Sequence, residues 1–367
     1  MIKLLHITFD MNIGGTEQVV RNLIESLDRK EFQSSLLCID GVVGPWGQEL
    51  EKMGYPVFCL RRTPGFDIKL IKEIRQLLKQ HDFDILHCHQ YTPYVYGLFG
   101  ALFKKKIIIF TEHGRFYPDV SSLKRRIINP ILQIKTSAIT AISSATKDAL
   151  VEYENFSNSK IEVIYNGIAD TNIKAAPEIR KSLGLSDSDL VFGTISRLDP
   201  IKNHSMMIRA YAKILKLHPN IKLLIVGDGP QRAETERLIT ELGLSEKIIL
   251  TGFQSKPQEY LALMDVFLLP SFSEGTSMTL LEAMCFGKPS IATAVGGTPE
   301  ILEQDRTGLL ISNNDEQALT AAMTKMITDL GLRLRLGEEA RAAYCRKFTV
   351  GNMASNYEAL YKRLLGI

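Results

Sequence analysis

The sequence predicts an α/β protein with two Rossmann-like, doubly wound parallel sheets facing each other across a cleft. Three observations carry that prediction. Short β-branched runs alternate with longer helical patterns. The alternation breaks once, in the Asn-, Gly-, Asp- and Pro-bearing stretch "YNGIADTNIKAAPEIRKSLGLSDSD", and then resumes as a second series. At 367 residues, a prior of about 150 residues per domain also gives two domains.

In the first series the strands are expected at "KLLHITF", "SSLLCI", "PVFCL", "DILHCH", "KIIIFT", "AITAIS" and "IEVIY", with helices between them such as residues 16–27 and 68–80. In the second they fall at "LVFGTIS", "IKLLIVG", "KIILTG", "VFLLP", "PSIAT" and "GLLI". The first domain is expected over residues 1–168 and the second over 172–349. Neither half repeats the other's sequence. The N-terminal "MIKLLHITF" lacks a basic leader and a cleavage site, so it reads as a buried strand, and no apolar stretch approaches the ~18 residues that span a bilayer.

Composition narrows the partner classes. The chain is 45% hydrophobic and 23% charged with a formal charge of +3, too little to imply nucleic acid. Five cysteines, an odd number without CxxC spacing, suggest reduced thiols in a cytosolic compartment. Partner class must come from sites, which in open α/β sheets lie beyond the carboxyl ends of the strands.

After the first strand comes "MNIGGTEQVV", where Gly14 and Gly15 precede Thr16, a candidate N-cap. Free amides at a helix start attract an anion; loop geometry explains the two glycines equally well. In "SRLDPIKNH", Arg197 and Lys202 emerge at a strand end and suit a diphosphate, or are two solvated cations. "VGDGP" and "TGFQ" place Gly227, Gly252 and Phe253 at later strand ends, as tight turns or as close approaches to a ligand.

"PSFSEGTSMTLLEAM" sets Glu274 in a loop ahead of a helix capped by Thr276 or Ser277, and Glu282 about two turns inside it. The two acids are too far apart to pair. The amides of Gly275, Thr276 and Ser277 suit an anion, whereas a carboxylate accepts from hydroxyls, as on sugars. For Glu282 the alternative is a helix salt bridge. In "HCHQY", His87 and His89 share one strand face while Cys88 points opposite, so no local three-ligand metal site forms, and His89 or Tyr91 fits better as a cleft-lining residue.

The ordered set "GG", "SRLDPIKN", "VGDGP", "TGF", "SFSEGTSMTLLEAMCFGKPSIATAVGGTPE" and "TGLL" resembles the family 4 retaining glycosyltransferases of the GT-B fold, with their E-x7-E motif. The likeness spans nearly the whole chain. It implies that Arg197 and Lys202 grip the diphosphate of a nucleotide-sugar donor, assisted by amides at Gly15 and from Thr276 to Met278. It implies further that Glu274 holds hydroxyls of the transferred sugar, that Glu282 holds the ribose, and that His113 in "TEHGRF" lies near the sugar and the acceptor. The final helix, residues 350–367, would cross back to the first domain. Where relatives read E-G-F-G this chain has Glu274-Gly275-Thr276-Ser277, which alters the shape beside the sugar.

The implied chemistry is a metal-independent hexosyl transfer with retention by front-face substitution, in which cations and helix amides stabilise the departing phosphate. No cofactor is expected. "YVYGLFGALFKKK" and "SSLKRRIINPILQIK" set apolar residues beside Lys104–Lys106 and Lys124–Arg126, suiting either anionic lipid under a lipid-linked glycan acceptor or packing on their own sheet. "FYPD" is a candidate shaper of the acceptor pocket. The expected location is the cytoplasm, at the inner face of the membrane, in surface polysaccharide or glycolipid synthesis. Two alternatives stand beside this reading, a nucleotide-sugar epimerase and a non-catalytic nucleotide-sugar-binding partner.

Overall fold

The computed structural model describes residues 1–102, 104–114, 121–171, 173 and 176–367. The chain forms two compact units: Met1–Ala169 with Thr349–Ile367, and Asp170–Phe348. The "FYPD" stretch lies outside the described residues.

The first unit holds a seven-stranded sheet of β1 (Ile2–Thr8), β2 (Phe32–Cys38), β3 (Val57–Cys59), β4 (Ile85–His89), β5 (Ile107–Glu112), β6 (Ala138–Ala141) and β7 (Ile161–Val163). Their order is β3-β2-β1-β4-β5-β6-β7, with every pairing parallel. β1 shows why the strands read as apolar runs rather than alternations. Helices cover both faces, so "LLHIT" is buried throughout, its histidine included. Asp67 starts the helix Ile68–Gln80, its Oδ1 accepting from the Leu70 amide at 3.0 Å.

The second unit repeats the plan with β8 (Leu190–Ile195), β9 (Ile221–Val226), β10 (Ile248–Leu250), β11 (Val266–Leu269), β12 (Ser290–Thr293) and β13 (Leu309–Ile311), in the order β10-β9-β8-β11-β12-β13. All expected strands are present in both series. In each sheet the order reverses beside its first strand, so the places for a ligand are the carboxyl ends of β1 and β4 and, separately, of β8 and β11.

One expectation needs adjustment, and one pair of alternatives is narrowed. Thr16 is not an N-cap: the helix runs Gly15–Ser26 with Gly14 at the cap position and no side-chain cap bond. The helix Tyr91–Ala101 buries Tyr94, Tyr96 and Leu98 against its own sheet, and Lys104 and Lys106 are spent on Leu78 O and Asp82, so this segment is core. Two Asp-x-Asp triplets also occur, Asp82–Asp84 and Asp187–Asp189. They precede β4 and β8 at the amino ends, away from the ligand side of each sheet, and bind the protein itself: Asp84 accepts from the Lys3 amide and Asp189 from the Ser186 amide.

Candidate active site

In the second unit the loops after β8 and β11 are tied together. The Phe272 amide donates to Ile201 O at 2.8 Å, and Lys202 Nζ donates to Glu274 Oε1 at 2.7 Å. Ser271 Oγ donates to the same oxygen at 2.6 Å, and the Glu274 side chain is only 8% exposed. A carboxylate so enclosed is held in one orientation by charge-assisted bonds. Gly296, at φ 50°, passes directly beneath it. A Cβ there would collide with Glu274 O, which also accepts from the Gly297 amide at 3.1 Å.

Arg197 differs from Lys202. Its side chain is 70% exposed and its nearest acid is Asp199, at 3.7 Å. The loop therefore offers one cation fixed by a carboxylate and one free to swing toward an arriving anion. His204 begins the next helix, its Nε2 2.9 Å from Ser196 Oγ, and burial followed by the charge of Lys202 presses its imidazole down to about 4.

Gly227 and Gly252 form a bridge, with the Gly227 amide donating to Gly252 O at 3.0 Å. A Cβ on Gly227 would strike Ser196 O, so the close approach of two strand ends requires glycine there. Phe253 beside it is exposed. Ser277 caps the helix Met278–Cys285, its Oγ accepting from the Leu280 amide at 3.3 Å, while Thr276, Ser277 and Met278 are buried. Glu282 is buried too, and Gln258 Nε2 donates to its Oε1 at 3.0 Å.

In the first unit four histidines meet. β1 and β4 pair His6 with His87, and β4 carries His89 two residues on. His6 Nδ1 lies 3.1 Å from His89 Nε2, and His89 Nδ1 lies 3.0 Å from His113 Nε2, beyond the end of β5. His87 is held at both nitrogens, by Tyr361 Oη at 2.7 Å and Thr111 Oγ1 at 2.6 Å. Burial pushes His6 and His113 down to about 3, so these rings are neutral. His6, His87 and His89 offer ring nitrogens within 4.8 Å of one another. The third ligand that "HCHQ" lacks locally thus arrives from another strand, but both His87 nitrogens and the facing His6 and His89 nitrogens are already hydrogen-bonded.

At the Gly14 turn the nearest acid is the protein's own. A Cβ on Gly14 would meet Glu17 Oε2, and burial raises the Glu17 carboxyl above its ordinary range. This carboxylate sits where an anion would be drawn by the helix start.

Residues 175–343 match the family model for glycosyl transferases group 1, and residues 13–171 match the model for glycosyltransferase family 4. The chain belongs to glycosyltransferase family 4. It is 29% identical over 322 residues to the N-acetyl-alpha-D-glucosaminyl L-malate synthase of Bacillus anthracis, covering 85% of this chain and 82% of that one. It is 26% identical to the UDP-Gal:alpha-D-GlcNAc-diphosphoundecaprenol alpha-1,3-galactosyltransferase of Escherichia coli, covering 98% and 96%. Among solved structures, Anabaena HepE in complex with UDP and glucose superposes with a TM-score of 0.86 at 23% identity, covering 99% of this chain and all of that one. The fold is GT-B.

Two residues of this family 4 chain escaped sequence reasoning. Gly296, which shapes the Glu274 loop, was legible only as part of "AVGGTPE". Gln90, after β4, has φ 70° and ψ 162°, a conformation that almost only glycine adopts, and its Nε2 reaches Thr16 Oγ1 at 3.5 Å. Strain of this kind at the carboxyl end of a switch-point strand has no signature in a sequence.

Proposed function

We propose that this protein is a retaining glycosyltransferase that moves a hexose-type sugar from a nucleoside-diphosphate sugar to a hydroxyl of a lipid-linked glycan, at the cytoplasmic face of a membrane and without a metal. The observation that carries the reading is the Lys202–Glu274 pair at the switch point of the second sheet, with Arg197 exposed beside it. Cations there suit a diphosphate and its growing charge as the anomeric bond breaks; Glu274 suits sugar hydroxyls and Glu282 a ribose. The E. coli relative carries UDP-Gal, a diphosphoundecaprenol and an alpha linkage in its name. An α product from an α-linked nucleotide sugar is retention. Membership of family 4 disfavours the epimerase alternative.

The lipid side rests on the helix Leu123–Leu132. Its inner face buries Leu132 in the core beside Asn129, which takes a bond from Tyr91 Oη at 2.6 Å and gives one to Glu154 O at 2.8 Å. Its outer face is aliphatic: Leu123, Ile127, Ile131 and, just beyond the helix, Ile134 are each more than 60% exposed, with Lys124, Arg126 and Lys135 exposed among them. Aliphatic knobs in a basic surround suit an anionic monolayer. No helix among the described residues is long and apolar enough to cross a membrane.

The test is incubation of the purified protein with UDP-, GDP-, ADP- and dTDP-sugars, with and without an undecaprenyl-diphosphate-linked saccharide, in the presence and absence of EDTA. Nucleoside diphosphate release that requires acceptor, resists EDTA and yields a product with the donor's own anomeric configuration is expected. Release without acceptor, or a product of inverted configuration, contradicts the reading. Ile127→Asp should lower binding to anionic vesicles while leaving activity on a short-chain, water-soluble acceptor intact.

A further inference from the structure

The histidines of the first unit form a directed chain. Both of its links join an Nδ1 to an Nε2: His6 Nδ1 to His89 Nε2, and His89 Nδ1 to His113 Nε2. A neutral imidazole carries one proton, so it donates from one nitrogen and accepts at the other. If His6 donates from Nδ1, His89 must accept at Nε2 and carry its own proton on Nδ1, and His113 must do the same. If the direction reverses, all three carry the proton on Nε2. The three rings thus share one tautomer, although His6 and His113 are separated by more than a hundred positions in the chain.

The two ends decide between the directions. His6 Nε2 and His113 Nδ1 are buried and have no hydrogen-bond partner among the described residues. With every proton on Nε2, an N–H would be stranded at His6, inside the sheet. With every proton on Nδ1, His6 keeps only a bare lone pair, and the unsatisfied N–H stands on His113, beyond the end of β5. Either direction leaves one buried N–H without an acceptor, so the choice turns on which end an acceptor can reach. The carboxyl end of the sheet is where a ligand's oxygen can meet the donor. His87 braces the group from the side, its ring centroid 4.1 Å from that of His89, while its own nitrogens are committed to Tyr361 and Thr111.

We propose that His89, backed by His6, is a positioning residue that fixes the His113 proton on Nδ1 and so makes that atom a hydrogen-bond donor to a substrate oxygen. The inference rests on the transferase reading only in naming the oxygen's owner a substrate. His113 then acts as a neutral donor and not as a base. The deep location of His6 matters because it excludes water from the far end, leaving the chain no alternative partner with which to reverse.

The experiment is a two-bond 1H–15N correlation spectrum of protein labelled with 15N-histidine, near neutral pH, with His113→Gln and His89→Phe to assign the rings. In the wild type, His6, His89 and His113 should all show the Nδ1–H pattern. His89→Phe should release His113 to the Nε2–H form or a mixture. Turnover should fall about tenfold, the worth of one well-placed hydrogen bond, with the donor KM within about twofold. His89→Gln, whose amide N–H can donate to His113 Nε2, should retain the Nδ1 proton and recover part of the rate. His113 carrying its proton on Nε2 in the wild type, or a His113 pattern unchanged in His89→Phe, overturns the proposal. The wild-type spectrum decides even if the Phe variant does not fold. The resting-state tautomer needs no substrate, so a protein that transfers no sugar would refute the transferase reading while leaving this assignment standing.

Discussion

Lys202 Nζ and Glu274 Oε1 stand 2.7 Å apart, joining the loops that follow two neighbouring strands, β8 and β11. The pair holds both groups until a stronger anion arrives. A diphosphate offers Lys202 a stronger partner, and taking it frees Glu274 Oε1 for a hydroxyl. Lys202→Ala should therefore weaken nucleoside-diphosphate binding about tenfold or more, while Ser271 limits the loss of stability to about 1 kcal/mol. Calorimetric titration and thermal unfolding measure the two effects separately. A variant that binds the diphosphate as tightly as the wild type removes Lys202 from the donor site.

Glu282 is buried with Gln258 Nε2 donating to it. If it receives the ribose hydroxyls, the wild type should prefer a ribonucleoside diphosphate to its 2′-deoxy form by about tenfold, and Glu282→Ala should erase most of that preference. Equal discrimination in both proteins would place the ribose elsewhere.

Gln90 holds a backbone conformation that a side chain makes costly, on the order of 1–3 kcal/mol. Glycine relieves it and alanine does not. Gln90→Gly should accordingly be more stable than Gln90→Ala by about 1 kcal/mol or more in chemical unfolding, even though glycine ordinarily loses such comparisons. Alanine proving the more stable would mean that the strain is absent in solution.

Acid should unfold this protein early. Folded His6 and His113 titrate near 3 and His204 near 4, against 6.5 for an ordinary histidine. Below about pH 6.5 the unfolded chain gains protons that the native chain refuses. Stability is thus complete above that pH and drains as the pH falls toward the folded values, by about 1.4 kcal/mol per pH unit for each such histidine. Trp46, the single tryptophan, lies in the first unit and reports its unfolding alone. Its urea midpoint should drop steeply between pH 7 and 5. A flat profile would mean that the cluster takes up protons while folded.

Strand positions were legible because a strand buried on both faces writes itself as an apolar run, as in the "LLIV" of β9 and in "VFLL". The loop residues after those strands were legible for the same reason, since topology alone puts Lys202 and Glu274 on one side of the sheet. What sequence spacing could not supply is lateral register. His6 meets His87 only because β1 pairs with β4 and not with another strand, and nothing near either residue announces it. Thr16 was misread as a cap because Thr is a better capping residue than Gly; the cap instead falls two residues sooner, at Gly14, and Glu17 lies over the turn. The two Asp-x-Asp triplets show the converse, a chemically suggestive spelling placed at the wrong end of its strands.

The hydrogen bond between His87 and Tyr361 joins the middle of the first sheet to the last helix made on the ribosome. The helix Val350–Leu365 supplies Tyr357 and Tyr361 to a sheet whose strands emerge first. Domains ordinarily fold in the order in which they are made. Here the tyrosines that complete the first unit are made only after the whole of Asp170–Phe348. A nascent chain stalled before the last helix would hold all of the second unit and would lack the Tyr357 and Tyr361 hydroxyls that meet Thr111 and His87.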